Sequence, residues 1–343
     1  MLDTTSSNRV SVTFSDGTTA EFQSSPCTPI LDDALAAGLP IMSQCKSGSC
    51  GTCVASLVTG HAPPIVDLAG CLLDSELNEG RRLLCSSYAD SDCEFSLDYP
   101  SSVGAATPKL ANVFVDGVEW VAEDVVRLTT ELADGDWMDF CPGQYMRVGI
   151  PDTNITRSYS VSSCPEKLPK LEFLIKVVPN GRFSDYLARE VRIDDVLSLE
   201  GPFGSFQLRE DHKKAKHILV AGGTGLAPII SMLDTIRTLP GTKPRVLLSF
   251  GCRSEKSLFC EDILELREAW MSNLETRISL TRPSEEWGGR IGNPLSAITT
   301  EDISKDSVAY VCGSSRLVTF AIEDLVAKGL DETRIFSEKF LAE

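Results

Sequence analysis

Three cysteines stand on one short stretch, Cys45-Lys-Ser-Gly-Ser-Cys50-Gly-Thr-Cys53, and Cys85 follows 32 positions after the third. Three thiols this close can converge on one ligand only if the backbone curls tightly around it. The spacing C-x4-C-x2-C with a distant fourth cysteine is one that holds a [2Fe-2S] cluster, so Cys45, Cys50, Cys53 and Cys85 are the candidate metal ligands. Gly48, Ser49, Gly51 and Thr52 are small, as a loop must be if its N–H groups are to turn toward the sulfurs. A zinc site is the nearest rival, although zinc loops usually pair two hooks and no second hook is present. Chance clustering among 12 cysteines is the bland alternative, which the glycines and the spacing together oppose.

At 343 residues the chain is long enough for two or three domains with separate cores. A formal charge of −17 argues against nucleic acid, which needs a basic stripe, and no Lys/Arg cluster with interleaved aromatics occurs. Residues 1–103 hold 13 Asp/Glu against 4 Lys/Arg, so acidity gathers where the cluster should sit. Such a surface suits a basic protein face, though solvated surface charge explains it as well. The N-terminus lacks the basic start and apolar core of a signal peptide, and no apolar run approaches membrane-spanning length. The expectation is therefore a cytoplasmic, monomeric protein without membrane contact, whose eight other cysteines are buried thiols.

Val10 to Phe14 and Thr18 to Phe22 read as strands around the turn Asp16-Gly17. A helix from about Ile30 to Ala37 follows, with Pro29 at its start and Gly38 at its end. After the cysteine loop comes a strand from Val54 to Val58. Hairpin, helix, cluster loop and strand in this order resemble the β-grasp fold, an α+β architecture, of plant-type ferredoxins. Residues 100–108 are small and proline-bounded and read as a linker. From Leu110 to about Arg209, short strands broken by turns, with one helix near Phe183 to Arg189, suggest an antiparallel β-barrel. From Lys216 onward strand, glycine turn and helix alternate, which implies an α/β doubly wound parallel sheet. The expected multidomain layout is 1–103, 109–211 and 212–343.

Arg157-Ser158-Tyr159-Ser160 matches the R-x-Y-S motif of the ferredoxin-NADP reductase superfamily. The resemblance implies that Arg157 pairs with a flavin phosphate, Tyr159 covers one face of the isoalloxazine, and Ser160 hydrogen-bonds near its N5. A guanidinium fork matches phosphate oxygens, and a flat phenol covers a flat ring. Gly181-Arg182-Phe183-Ser184 opens a helix whose free N–H groups suit the flavin pyrophosphate. Gly201-Pro202-Phe203-Gly204 resembles the turn that closes the superfamily's flavin domain. Gly222-Gly223-Thr224-Gly225 follows an apolar strand and is similar to the G-G-T-G-x-A-P nicotinamide-nucleotide turn. Tyr310-Val-Cys312-Gly-Ser314 resembles the second nicotinamide loop and implies that Cys312 lies near the hydride-transfer position. Relatives usually continue C-G-P there, and Ser314 departs from them. An aromatic near the C-terminus covers the other flavin face in this superfamily, and Phe340 is the candidate.

The order of the three parts most closely resembles the reductase component of benzoate-dioxygenase-type ring-hydroxylating systems. Phthalate-type reductases carry the ferredoxin last and use FMN, so the order here implies FAD. The resemblance further implies that electrons pass from NADH, with NADPH possible, through FAD and the cluster to a separate oxygenase. That acceptor is not in this chain, because His61, His212 and His217 are the only histidines and none has the spacing of a Rieske or mononuclear iron site. Di-iron monooxygenases and a deoxysugar dehydrase use the same layout. A flavin-binding redox sensor is the alternative from a different class. Arg253 and Lys256 suit a 2′-phosphate, whereas Glu255 suits a ribose hydroxyl.

Overall fold

The computed structural model describes residues 7–44, 46–48, 51–65, 72, 74–104, 108–209 and 212–340. They divide at the 107/108 boundary into two compact units.

In the first unit, β1 (Asn8–Thr13) and β2 (Thr19–Ser24) form the expected hairpin. Asp16 Oδ1 accepts from Thr18 N–H at 3.0 Å, and Gly17 takes φ 81°, a left-handed turn position that glycine occupies without strain. Helix α1 (Ile30–Ala36) buries Ile30, Leu31 and Ala34. Then come β3 (Val54–Thr59), the short α2 (Asp74–Asn78), β4 (Arg81–Leu83) and β5 (Cys93–Ser96). The sheet order is β2-β1-β5-β3-β4, with β1 and β5 parallel and the other pairs antiparallel, which is the β-grasp arrangement. Alternating inward residues Val10, Val12, Phe22 and Phe95 supply its core with α1.

The proline-bounded stretch after Tyr99 is not simply a linker. Residues Ser101–Gly104 form one helical turn, α3. Ser101 donates to Asp16 Oδ2 through both its N–H (2.9 Å) and its Oγ–H (2.8 Å), so the start of the stretch is tied to the hairpin turn. Two short polar side chains far apart in sequence leave no local signal of such a pairing.

The second unit holds two sheets. Strands β6 (Lys109–Ala122), β7 (Val125–Leu132), β8 (Tyr145–Gly149), β9 (Thr156–Ser160), β10 (Lys170–Lys176) and β11 (Val196–Phe203), with helix α4 (Arg182–Arg189), make the first. The order is β10-β7-β6-β11-β8-β9, and an antiparallel bridge between Val161 and Phe173 joins its two ends into a barrel. One strand departs from the expected short ones. The 14-residue β6 keeps its pairing with β7 through register shifts at Val115/Gly117 and Trp120/Ala122, bulges that let one long strand follow the curve.

The second sheet is parallel throughout. Its elements are β12 (Lys216–Gly222), α5 (Leu226–Thr238), β13 (Val246–Cys252), α6 (Glu261–Trp270), β14 (Leu274–Leu280), β15 (Arg290–Ile291), β16 (Ser307–Ser314), α7 (Ser315–Ala327) and β17 (Ile335–Phe340). The order β15-β14-β13-β12-β16-β17 reverses direction between β12 and β16. In a doubly wound fold, ligands bind outside the carboxyl ends of the strands at that reversal.

Among the described cysteines none is disulfide-bonded, but the expectation that all eight non-ligand thiols are buried holds only in part. Cys93, Cys164, Cys252, Cys260 and Cys312 are buried, whereas Cys27 and Cys141 lie in exposed connections; Cys71 lies outside the described residues.

His217 on β12 is fully buried, its ring stacked on that of Tyr310 at 6.0 Å and 13°. Burial pushes the imidazole down to about 4. Between about pH 6.5 and 4 the unfolded chain therefore binds a proton that the native state refuses, and stability falls as the pH falls. The loss expected from this one group is up to about 3 kcal/mol. Urea midpoints measured at pH 7 and pH 4.5 should differ less for His217→Gln than for the native chain.

Candidate functional site

Cys53 and Cys85, the two described members of the cysteine set, are both buried, at 3% and 4% exposure. They come from different segments joined by a hydrogen bond from Leu84 N–H to Cys53 O at 3.1 Å. Cys45 and Cys50 lie outside the described residues. Around them, Lys46 (φ 52°), Gly48 (78°) and Gly51 (73°) all have left-handed backbone. Repeated residues of this kind turn successive N–H groups into a concave, anion-binding nest. Such a curl with buried thiols beneath it fits a [2Fe-2S] cluster. On the outside of the loop Lys46 and Ser47 are exposed, and Lys46 Nζ lies 3.7 Å from Asp32 Oδ1 on α1.

In the barrel, the R-S-Y-S motif lies on strand β9 and opens the candidate flavin cradle. Tyr159 is half-buried and leans on Phe183, with ring centroids 5.3 Å apart. Phe183 itself is 1% exposed, so its side chain belongs to the barrel core and only its backbone can meet a ligand. Gly181 caps α4 without a side-chain hydrogen bond, which leaves the first-turn N–H groups open to an anion. A Cβ at Gly181 would stand 2.7 Å from Val178 Cγ2, so a side chain would crowd this helix start. Ser184 is buried and accepts from Val178 N–H at 3.0 Å, fixing the preceding loop rather than facing outward. Arg182 and Ser158 are exposed, and Arg157 is half-buried. The cradle fits a flavin with a charged pyrophosphate.

Gly222, Gly223, Thr224 and Gly225 form the turn from β12 into α5. Gly225 packs so closely on β16 that a Cβ would lie 2.3 Å from Cys312 O. The turn and the Cys312-Gly313-Ser314 end of β16 therefore meet at the sheet's reversal point, fit for a nicotinamide nucleotide. Ser314, the departure from C-G-P, is the N-cap of α7, its side chain accepting from Leu317 N–H at 3.4 Å. The serine cap satisfies one of the first-turn N–H groups of α7, which a proline at this position has no side-chain oxygen to do.

Ser160, Cys312 and Phe340 converge around a residue that the motifs did not single out, Glu338. Ser160 Oγ donates to Glu338 Oε2 at 3.2 Å, and the Cys312 thiol lies 4.0 Å from the same oxygen. Strand β17 brings Glu338 there by pairing with β16, Cys312 opposite Glu338 and Ser314 opposite Phe340. Phe340, two residues beyond Glu338 on the same face, is half-buried. Burial pushes the Glu338 carboxyl up to about 8, against a smaller opposing effect of the Ser160 hydrogen bond. Burial and the nearby Glu338 together raise the Cys312 thiol well above its ordinary value. At neutral pH the cluster is thus a neutral acid, a neutral thiol and a hydroxyl. The only sequence signal for Glu338 is its place two residues before Phe340.

Residues 13–90 match the 2Fe-2S iron-sulfur cluster binding domain family, 113–208 the oxidoreductase FAD-binding domain family, and 219–323 the oxidoreductase NAD-binding domain family. The chain is 33% identical to the anthranilate 1,2-dioxygenase electron transfer component of Acinetobacter baylyi over 97% of both chains. It is 32% identical to the xylene/toluene monooxygenase electron transfer component XylA of Pseudomonas putida, over 91% of this chain and 88% of that one. Among solved structures, the Amycolatopsis cytochrome P450 reductase GcoB has a similar fold, with a TM-score of 0.71 at 23% identity over 96% of this chain and 98% of that one.

Proposed function

Because the chain belongs to the family of oxygenase electron-transfer components that join a [2Fe-2S] domain to FAD- and NAD-binding oxidoreductase domains, we propose that it takes electrons from NAD(P)H and delivers them singly to a separate terminal oxygenase. We take residues 1–103, 109–211 and 212–343 as the three working domains, NADH as the donor, and a Rieske ring-hydroxylating enzyme as the acceptor. The observation that carries the reading is the convergence of Ser160 from the barrel with Cys312 and Glu338 from the parallel sheet. When bound, FAD accepts hydride from the nicotinamide, and the cluster carries single electrons onward.

The chain's own residues have the following parts. Arg157 and the N–H groups of 182–184 would neutralise the flavin phosphates, and Tyr159 and Phe340 would hold its ring. Gly222–Gly225 let the backbone approach the dinucleotide pyrophosphate. Ser160, bonded to Glu338, would stand at the reacting edge, Glu338 would hold a proton beside it, and Cys312 would fill space there while excluding water. Cys45, Cys50, Cys53 and Cys85 hold the cluster. Electrons would leave through the segment of residues 40–90, whose acidic residues Asp74, Glu76 and Glu79, with Asp67 outside the described residues, would steer a basic partner in a salt-dependent way.

A monooxygenase or a deoxysugar dehydrase as acceptor is the second reading, because a monooxygenase electron transfer component and a deoxysugar dehydrase reductase stand among the relatives. We place the chain in the cytoplasm as a monomer; no described helix is long and apolar enough to cross a membrane. Purified holoenzyme should release FAD on acid extraction and reduce cytochrome c with NADH over many turnovers. It should also feed a Rieske oxygenase more slowly as salt rises. Recovery of FMN would defeat the flavin assignment, and transfer indifferent to salt would defeat acidic steering.

A further inference from the structure

One phenol in the first unit joins the end of the β-grasp sheet to the approach of the cysteine loop. Phe95, Leu97 and Tyr99 alternate inward along and beyond β5, so Tyr99 enters the core that also holds Met42, Cys53 and Cys85. It is 1% exposed. The β1–β2 hairpin fixes it from the other side: Ser15 N–H donates to Tyr99 O at 3.1 Å, and the Phe14 ring meets the Tyr99 ring edge-on, with centroids 6.0 Å apart. Two residues on, Ser101 is tied to Asp16 of the same turn. The phenol oxygen then accepts from Met42 N–H at 2.9 Å, three residues before Cys45.

That bond occupies the oxygen as an acceptor and leaves its own proton to be placed. A buried hydroxyl ordinarily finds an acceptor, yet no described residue accepts from Tyr99. Burial, and after it the charges of Asp98 and Cys53, push the phenol well above its ordinary value against the opposing bond from Met42. The proton therefore stays on the oxygen, within electrostatic reach of the Cys53 sulfur. A neutral thiol accepts hydrogen bonds weakly, whereas a thiolate bound to iron carries charge and accepts well. A bound cluster thus supplies what the orphan donor lacks.

We propose that Tyr99 donates its hydroxyl proton to the Cys53 sulfur when that sulfur ligates the [2Fe-2S] cluster, and so raises the reduction potential of the cluster. The proposal rests on the cluster assignment above and names a group outside the cysteine loop that tunes it. A ligand sulfur is more negative when the cluster holds the transferred electron, so a hydrogen bond to it strengthens on reduction and favours the reduced form. Tyr99 has two separable parts here. Its oxygen positions Met42, and its proton acts on the sulfur.

The test uses full-length holoenzyme in redox titrations, the cluster followed by EPR and the flavin by absorbance. Tyr99→Phe keeps the ring and removes the hydroxyl. The equilibrium constant for cluster reduction should fall about tenfold, which for one electron is about 59 mV, while the flavin, whose candidate residues lie in the other compact unit, keeps its potential. Site-specific replacement of Tyr99 by 3-fluorotyrosine retains the oxygen for Met42 and makes the hydroxyl a stronger donor, so the cluster potential should rise. Opposite shifts mark a donor, because a mere anchor of Met42 has no reason to raise the potential in the fluorinated protein. Cluster reduction within about twofold of native in both variants, or shifts of the same sign, would overturn the proposal and leave Tyr99 as the anchor alone. Where Tyr99→Phe loses the cluster, the fluorotyrosine protein decides: a raised potential sustains the donor, and an unchanged one overturns it. A native chain that takes up no [2Fe-2S] cluster would instead overturn the reading on which this one rests.

Discussion

Cys53→Ser is expected to abolish the EPR signal of the reduced cluster and all NADH-dependent reduction of cytochrome c, while flavin reduction by NADH continues at close to the native rate. The thiol is 3% exposed in a core shared with Cys85, and serine offers a harder, more basic oxygen that iron-sulfur clusters rarely accept. Flavin chemistry survives because the candidate flavin and nucleotide residues lie in the other compact unit, which begins at Pro108. Cys45→Ser and Cys85→Ser should match it. Loss of flavin reduction in all three would mean that the units do not fold separately. A retained cluster signal would remove Cys53 from the ligand set.

Glu338→Gln is expected to slow flavin reduction by roughly 10²-fold, the scale of a lost positioned acid, and to make the chain more stable in alkali. The two effects have one cause. With the carboxyl held near 8 by burial, the native state carries a proton that the unfolded chain releases near pH 4.5. Native stability is therefore lost as the pH rises from about 4.5 through 8. The upper bound on that loss is about 5 kcal/mol, and it is less where water reaches the half-buried side chain. Glutamine stays neutral, so it should flatten both the rate profile near pH 8 and the alkaline decline in melting temperature. Stopped-flow traces and thermal melts from pH 6 to 9 decide the matter. A rate within threefold of native with an unchanged pH profile would show that Glu338 is only a structural partner of Ser160.

What was legible in the sequence was local. The three-cysteine loop from Cys45 to Cys53, the turn at Asp16-Gly17, the α4 start at Gly181 and the β12 glycine turn each lie within a dozen residues, and each is dictated by backbone sterics or hydrogen-bond geometry acting over that distance. The alternation of barrel strands and then of strands with helices likewise follows from side-chain period, which a stretch of sequence displays directly. The strand order within each sheet was not displayed. Val161 closes the barrel against Phe173, and β17 joins the edge of the parallel sheet, through backbone bonds that any residue can make.

The same limit applies to the chemistry. Ser160 and Cys312 were found because motifs surround them, but Glu338, 178 positions from Ser160, has no pattern of its own. Its protonation was beyond any motif, since burial between two sheets sets it. Glu255 was named from its place after a strand, whereas its hydrogen-bond partner Ser284, 29 positions on, emerged only when two parallel strands ended side by side. Sequence alone determined which ligands the chain is shaped to hold, because small residues, thiols and turn glycines impose their requirements locally. Tertiary structure alone decided which acids are neutral and which are fixed, because desolvation and hydrogen bonding depend on what distant segments bring to one place.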